Sequence, residues 1–433
     1  LTLINAIDNC KILDPAAGSG AFPMGILHKF VHILHKLDPQ NKLWKERQIE
    51  KVNLCIKDAE KINDSTFRDK IIYDLESSKK DIEESFENNE LDYGRKLYLI
   101  ENCIYGVDIQ PIATQISKLR FFISLIVDQK ADKTKNNFGI RPLPNLETKF
   151  VAANTLIGIE KPSQQMQLFD NEEVRQLEES LKDVRHQLFS AKTPLTKRKL
   201  REKDKQIRQK ISTILEKEGW GSETAHQLAS WDPYNQNTTN SWFDPEWMFG
   251  IKDGFDIVIG NPPYGASYPD AHKKYFQTNY ISAKTIKEIQ KGSLDTFSIF
   301  IEKGFNTLRK NGNLNYIVPM SITSSDSMTG LHKILENNCS MIKISSYSVR
   351  PQPIFENAMV NTSILFFIKD GKTSKSILAT KMYRKNKEIS LKYLLDNLEF
   401  INILEVKLIG RFPKISLKIE KEILKKYSVK KQK

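Results

Sequence analysis

Residues Phe255-Asp-Ile-Val-Ile-Gly260 run directly into Asn261-Pro262-Pro263-Tyr264-Gly265, and this junction limits the fold more than any other feature of the chain. A short apolar run bounded by turn residues reads as a buried strand. Two consecutive prolines remove two amide donors and fix the backbone, so the strand can neither continue nor pass into a regular helix. A rigid loop must follow. It presents two acceptors, the Asn261 side-chain oxygen and the Pro262 carbonyl, next to the flat face of Tyr264. That set suits a planar ligand with an exocyclic amino group, whose two N–H bonds can both be donated. The nitrogen lone pair is then drawn out of conjugation, and no strong general base is needed. The plainer alternative is an ordinary proline turn. Its position straight after so apolar a strand argues against that.

Other segments repeat the strand–turn–helix plan. Lys11-Ile-Leu-Asp14 ends on a carboxylate, the turn Pro15-Ala-Ala-Gly18-Ser-Gly20 follows, and residues 22–37 place Ile26, Phe30, Ile33, Leu34 and Leu37 on one helical face. Residues 103–109 form a second strand candidate containing Asp108, with a helix from Pro111 to Val127. Residues 149–154 form a third, ending at Asn154. Asp295 stands where it can cap a helix that Asn311-Gly312 would end. Later strands are expected at residues 314–318, 341–348 and 363–368. Strands alternating with helices predict an α/β protein with a mostly parallel sheet. Ligands bind such sheets beyond the carboxyl ends of the strands, where Asp14, Asp108, Asn154 and Asn261 would gather. Asp14 suits a cationic or amino group, since it would repel a pyrophosphate. Asp108 either accepts ribose hydroxyls or caps the helix opened by Pro111. Asn154 either reads an adenine amino group or turns the chain.

A length of 433 residues exceeds what one compact core usually holds, and the formal net charge of +13 favours a polyanionic partner. Residues 172–217 keep helical apolar spacing on both sides of Thr193-Pro194 and read as a helical hairpin. From Lys182 to Lys210 that hairpin carries 11 basic and 3 acidic side chains, a net of +8. It is either a solvated face or a contact for a nucleic-acid backbone. Cys10, Cys55, Cys103 and Cys339 lack metal-ligand spacing, so reduced cysteines, no metal and a cytoplasmic location are expected. No apolar run is long enough for a membrane span. The first residue is Leu, as in a fragment of a longer reading frame.

The segments DPAAGSGAF, YGVDI and GNPPY, in that order, resemble the motifs of gamma-class amino-methyltransferases. The resemblance is to adenine-N6 DNA methyltransferases of restriction–modification systems, the type IIG enzymes in particular, and it covers roughly residues 10–370. It implies a Rossmann-like class I methyltransferase sheet with helices on both faces and helical insertions. By resemblance, Asp14, Ala16, Gly18, Gly20, Asp108 and Asn154 hold S-adenosylmethionine. Asn261, Pro262 and Tyr264 are catalytic, and Pro263 and Phe355 contact the target base in double-stranded DNA. The implied layout is core with the cofactor turn (1–39), helical insertion (40–98), core (99–160), basic hairpin insertion (161–250) and core with the catalytic loop (251–372). A basic tail (373–433) would begin a truncated target-recognition region, with a nuclease and recognition domain outside this chain. Glutamine or RNA methyltransferases sharing NPPY, and a non-catalytic DNA-binding subunit, are the alternatives.

Overall fold

A computed structural model describes residues 2–61, 65–87, 91–160, 171–191, 193–287, 290–355 and 359–430. Residues 161–170 of the expected hairpin insertion, its Lys192, and residues 356–358 of the segment after Phe355 lie outside the described residues. In chain order the elements begin α1 (Thr2–Asn9), β1 (Ile12–Asp14), α2 (Ala21–Leu37), α3 (Lys42–Ala59), α4 (Ser65–Glu87), α5 (Leu91–Asn102), β2 (Ile104–Asp108), α6 (Pro111–Ile126) and β3 (Phe150–Ala152). Next come α7 (Glu172–Ser190), α8 (Pro194–Lys217), α9 (Ser222–Ser230), α10 (Pro245–Phe249), β4 (Phe255–Gly260), α11 (Asp270–Asn279), α12 (Thr296–Thr307) and β5 (Leu308–Pro319). The chain closes with α13 (Thr329–Asn338), β6 (Met341–Tyr347), β7 (Thr362–Lys369), β8 (Ser376–Tyr383), α14 (Leu391–Asp396), β9 (Ile401–Asn402) and α15 (Lys418–Lys430). They form two compact units, Leu1–Lys11 with Ala17–Lys252 and Ile12–Ala16 with Asp253–Lys433.

In the first unit β2 pairs in parallel with β3, with Asp108 opposite Ala152. Ile104, Tyr105 and Val107 are all buried, so both faces of β2 are covered. One face meets a core that includes Leu27 and Leu34 of α2, Leu99 of α5, Phe121 of α6 and Phe150 of β3. On the other, the Tyr105 ring lies 5.0 Å from that of Phe249 in α10. Each such fully buried side chain contributes about 1.5–3 kcal/mol relative to exposure. Within the expected insertion 40–98, Trp44 of α3 and Tyr93 and Tyr98 of α5 pack into this same core. The outer face of α6 leaves Ile112, Ile116, Leu119 and Ile123 exposed.

The hairpin forms as its sequence suggests. Asn171 caps α7 by accepting the Glu173 and Val174 N–H groups, and Thr193 caps α8 with Pro194 in the first turn. Leu181, Val184 and Leu188 are buried with Leu200, Ile207 and Ile211. Its interior also holds a charged triad. Asp204 is fully buried and accepts from the Arg185 guanidinium at 2.9 Å and the Arg208 guanidinium at 2.7 Å. Arg185 donates onward to the Trp247 carbonyl at 2.8 Å, and Arg208 to the Ala229 carbonyl at 2.9 Å. Burial alone would raise the Asp204 carboxyl pKa, but the two guanidiniums outweigh it and hold the group below its ordinary value.

In the second unit the strand order is β1-β4-β5-β7-β6-β8-β9. β1, β4 and β5 run parallel, β7 lies antiparallel between β5 and β6, and β8 is parallel to β6. The α/β class is as expected, but the sheet is mixed rather than mostly parallel here, because β7 runs antiparallel to both its neighbours and β9 antiparallel to β8. β8 continues the sheet into the stretch read as a basic tail. Two local expectations are corrected. α12 stops at Thr307 rather than at Asn311-Gly312. Residues 308–312 already belong to β5, where the register slips between Phe255–Leu308 and Ile257–Asn313, and Asn311 takes a left-handed φ of 65°. Asp295 occupies the N-cap position of α12, yet its side chain caps nothing; it accepts from the Ser293 hydroxyl at 3.1 Å. Among the described residues no helix is long and apolar enough to cross a membrane, and no group of three or more His, Cys, Asp or Glu could hold a metal ion.

Candidate active site

Each sequence-predicted polar residue lies at the carboxyl end of a parallel strand: Asp14 on β1, Asp108 on β2, Asn154 two residues past β3 and Asn261 one past β4. The glycine turn starts in the second unit with Asp14, Pro15 and Ala16, and the Ala16–Ala17 peptide bond carries it into the first.

The first-unit part of the turn is tied to β2 and α6. The Ala17 N–H donates to the Val107 carbonyl at 2.9 Å, and the Gly18 N–H to the Asp108 carboxylate at 2.8 Å. The second Asp108 oxygen accepts the Gln110 N–H, also at 2.8 Å. Gln110, not Asp108, is the N-cap residue of α6. Both Asp108 oxygens thus brace backbone, and each keeps a further lone pair for a hydroxyl. Gly18 and Gly20 sit at φ 54° and 82°, which a side chain would strain. A Cβ on Gly18 would meet nothing within 4 Å, so the backbone there faces open space that a ligand can approach. Ser117 of α6 completes the turn by donating its hydroxyl to the Gly18 carbonyl at 2.9 Å. Sequence reasoning missed Ser117: it lies 99 residues from its partner, and a serine within a helix carries no signal of its own.

Asn154 behaves mainly as a turn residue. Its side-chain oxygen accepts the Leu156 N–H at 3.2 Å, while its own N–H donates to the Asn240 carbonyl at 2.9 Å.

In the second unit, Asp14 and the proline loop are close neighbours. Asp14 is buried, and its Oδ1 accepts the Ala16 N–H at 3.1 Å. A Cβ added to Gly260 would lie 2.6 Å from that same Oδ1, so only glycine lets β4 pass the carboxylate before the chain reaches Asn261. Tyr316, opposite Gly260 in the β4–β5 register, is fully buried. Burial, then the negative charge of Asp14, push its hydroxyl pKa well above the ordinary value, so it stays neutral. Asn261 and Pro263 are exposed, Pro262 is buried and Tyr264 is half-buried. The Tyr264 hydroxyl donates to the Asn261 side-chain oxygen and, at 3.4 Å, approaches the Ile317 carbonyl. One lone pair of the Asn261 oxygen is therefore used and one remains. Burial raises the Tyr264 pKa, keeping it a neutral donor. Thr296 of α12 fixes the loop's far side by accepting the Ala266 N–H at 3.1 Å. This is a second contact that the sequence did not signal.

Phe355 is half-buried and packs on Tyr347, Ile354 and Leu394.

The profile of the Eco57I restriction-modification methylases matches residues 102–355. A Methanocaldococcus jannaschii protein named as a type II restriction enzyme and methyltransferase is 26% identical in an alignment covering 95% of this chain and 34% of that protein. The Escherichia coli type II restriction enzyme and methyltransferase RM.Eco57I is 27% identical over 33% of this chain and 14% of its own length. A type II methyltransferase of Haemophilus influenzae, M.HincII, is 33% identical over 29% of this chain and 24% of its length. A solved DrdV–DNA complex is similar at a TM-score of 0.43, with 13% identity, covering 93% of this chain and 28% of that one. The chain belongs to the Eco57I restriction-modification methylase family. It spans about a third of the length of the M. jannaschii relative.

Proposed function

We propose that this chain transfers a methyl group from S-adenosylmethionine to the N6 amine of an adenine flipped out of double-stranded DNA, within a restriction–modification system. The observation that carries the reading is the abutment of Gly260 on Asp14. It sets the acceptor loop one residue from the carboxylate suited to the methionine amino group. Asp14, Ala16, Gly18 and Gly20 would hold its methionine end, Asp108 its ribose and Asn154 its adenine. When bound, S-adenosylmethionine supplies an electrophilic methyl group on a sulfonium centre.

The chain's own residues then have defined tasks. Flipping costs a few kcal/mol. Stacking on Tyr264, with the exposed part of Phe355 as a second face, returns about 1–3 kcal/mol per base. Asn261 and the Pro262 carbonyl accept the two N6–H bonds, and Pro263 borders the base. The N6 lone pair forms the new N–C bond as the methyl S–C bond breaks, and one N6 proton leaves to solvent. Positioning and hydrogen bonding carry the catalysis.

Tritiated methyl transfer offered to DNA, ribosomal RNA and a peptide release factor tests the reading. Label on DNA is expected. Label on RNA or release factor alone would replace the substrate, and no S-adenosylmethionine binding in calorimetry would replace the enzyme by a DNA-binding scaffold. Gly260→Ala bears on the cofactor side. Its Cβ would displace the Asp14 carboxylate, so S-adenosylmethionine affinity should fall roughly tenfold or more, the worth of one charge-assisted hydrogen bond. Unchanged affinity in the folded variant would remove Asp14 from the site.

A further inference from the structure

We propose that Lys197, Arg198 and Lys205, on the flank of the α7–α8 hairpin, form a contact for the phosphate backbone of duplex DNA. The proposal rests on the reading above that the substrate is DNA, and it assigns this surface a task which that reading leaves open.

The local charge excess of the hairpin is not all available. Arg185 and Arg208 are spent on buried Asp204 and on the carbonyls of Trp247 and Ala229. Arg201 is half spent, pairing with Glu147 at 3.1 Å and lying 5.0 Å from the Tyr234 ring centre. Lys197, Arg198 and Lys205 differ from these. Among the described residues none of the three pairs with a carboxylate, and Arg198 and Lys205 are exposed. All three line an open trough of about 940 Å³ along α8.

Their spacing gives the trough a direction. Lys197 and Lys205 stand eight residues apart on one face of α8, with the partly engaged Arg201 midway and Arg198 beside Lys197, and the helix rises about 6 Å per four residues. The row is about 12 Å long, a length over which duplex DNA carries about seven phosphates at one charge per ~1.7 Å. A compact anion needs donors converging on one point, whereas these are strung out, as a repeating polyanion requires. The acids of the trough lie elsewhere or are engaged. Glu216 accepts the Ser222 hydroxyl at 2.7 Å, and Asp232 accepts the Tyr234 N–H at 2.9 Å. Glu202, beside the row, interacts with Gln206 at 3.3 Å and is the one trough acid set among the cations. The buried triad beneath ties α8 to α7, so the backbone that carries the row needs little ordering on binding.

The test is a salt titration of duplex binding, read by fluorescence anisotropy, with the full-length protein. In Lys197→Ala/Arg198→Ala/Lys205→Ala the slope of log K against log salt should fall by about 2–3, and low-salt affinity by roughly 10- to 100-fold. Glu202→Gln should bind a few-fold more tightly. A matched loss of charge in Lys29→Ala/Lys36→Ala/Lys42→Ala, exposed on α2 and α3, should leave the slope unchanged. An unchanged slope in the hairpin variant, or an equal fall in the α2–α3 variant, overturns the assignment. If the unsubstituted protein binds and methylates DNA while the hairpin variant keeps its slope, only this surface is wrong. If the unsubstituted protein neither binds nor methylates DNA, the reading beneath it fails as well.

Discussion

Asn261→Ala is expected to lower methyl transfer by about 10²–10³-fold while leaving S-adenosylmethionine affinity within about twofold. The asymmetry follows from where the side chain sits. Asn261 is exposed beyond β4, and its oxygen has one lone pair committed to the Tyr264 hydroxyl and one left for an amine. An amine gains positive charge only as it attacks, so the lost acceptor is felt in the transition state and hardly at all by the cofactor. Tyr264 separates two further contributions. Tyr264→Phe removes the hydroxyl that occupies the Asn261 oxygen but keeps the ring, so activity should stay within a few-fold of the unsubstituted protein. Tyr264→Ala removes the stacking face, worth about 1–3 kcal/mol per base, and should weaken turnover by roughly ten- to a hundredfold. If Asn261→Ala stays fully active in single-turnover assays, the proline loop has no part in the chemistry.

Asp204→Ala is the second large effect, and it acts on stability. Removing the carboxylate leaves the guanidiniums of Arg185 and Arg208 buried without their counter-charge, which typically costs about 3–5 kcal/mol. The loss should stay local. Amide exchange should rise across α7, α8 and α9, which pack together, while α12 keeps its protection. Replacing all three charges by apolar residues of similar volume, as in Arg185→Met/Asp204→Leu/Arg208→Met, should restore part of the stability, because no buried charge is then left alone. Unchanged exchange in Asp204→Ala would mean that the hairpin is held by its apolar seam alone.

Much of this architecture was legible in the residues. β4 was read to the residue, because six residues of strand bounded by glycine and a double proline allow no other boundary. The hairpin was legible from apolar spacing and from the Thr193-Pro194 break, which became a capped helix start. What remained hidden depends on partners distant in sequence. The end of α12 was misplaced because Asn311-Gly312 signals a turn equally well at a helix end or in a strand whose register slips, and only pairing with β4 separates the two. Asp295 looked like a cap, yet Ser293, two residues away, takes its carboxylate. Asp108 was read as a ribose ligand or a helix cap, but the structure adds a task as brace of the glycine turn, through Gly18, 90 residues away. The +8 of the hairpin overstated its available charge, since sequence cannot show that Arg185 and Arg208 point inward onto Asp204. β8 and β9 were not anticipated, because lysines flank and interrupt β8 and β9 is only 2 residues long at the sheet edge.

The measurement that bears most directly on the central claim is the identity of the methylated nucleoside. DNA from cells expressing the protein with its flanking reading frame would be digested to nucleosides and analysed by mass spectrometry, beside DNA from cells expressing Asn261→Ala. The account predicts N6-methyladenine in the first sample and its loss in the second. Methylation of cytosine instead of adenine, or N6-methyladenine that persists unchanged in Asn261→Ala, would contradict it.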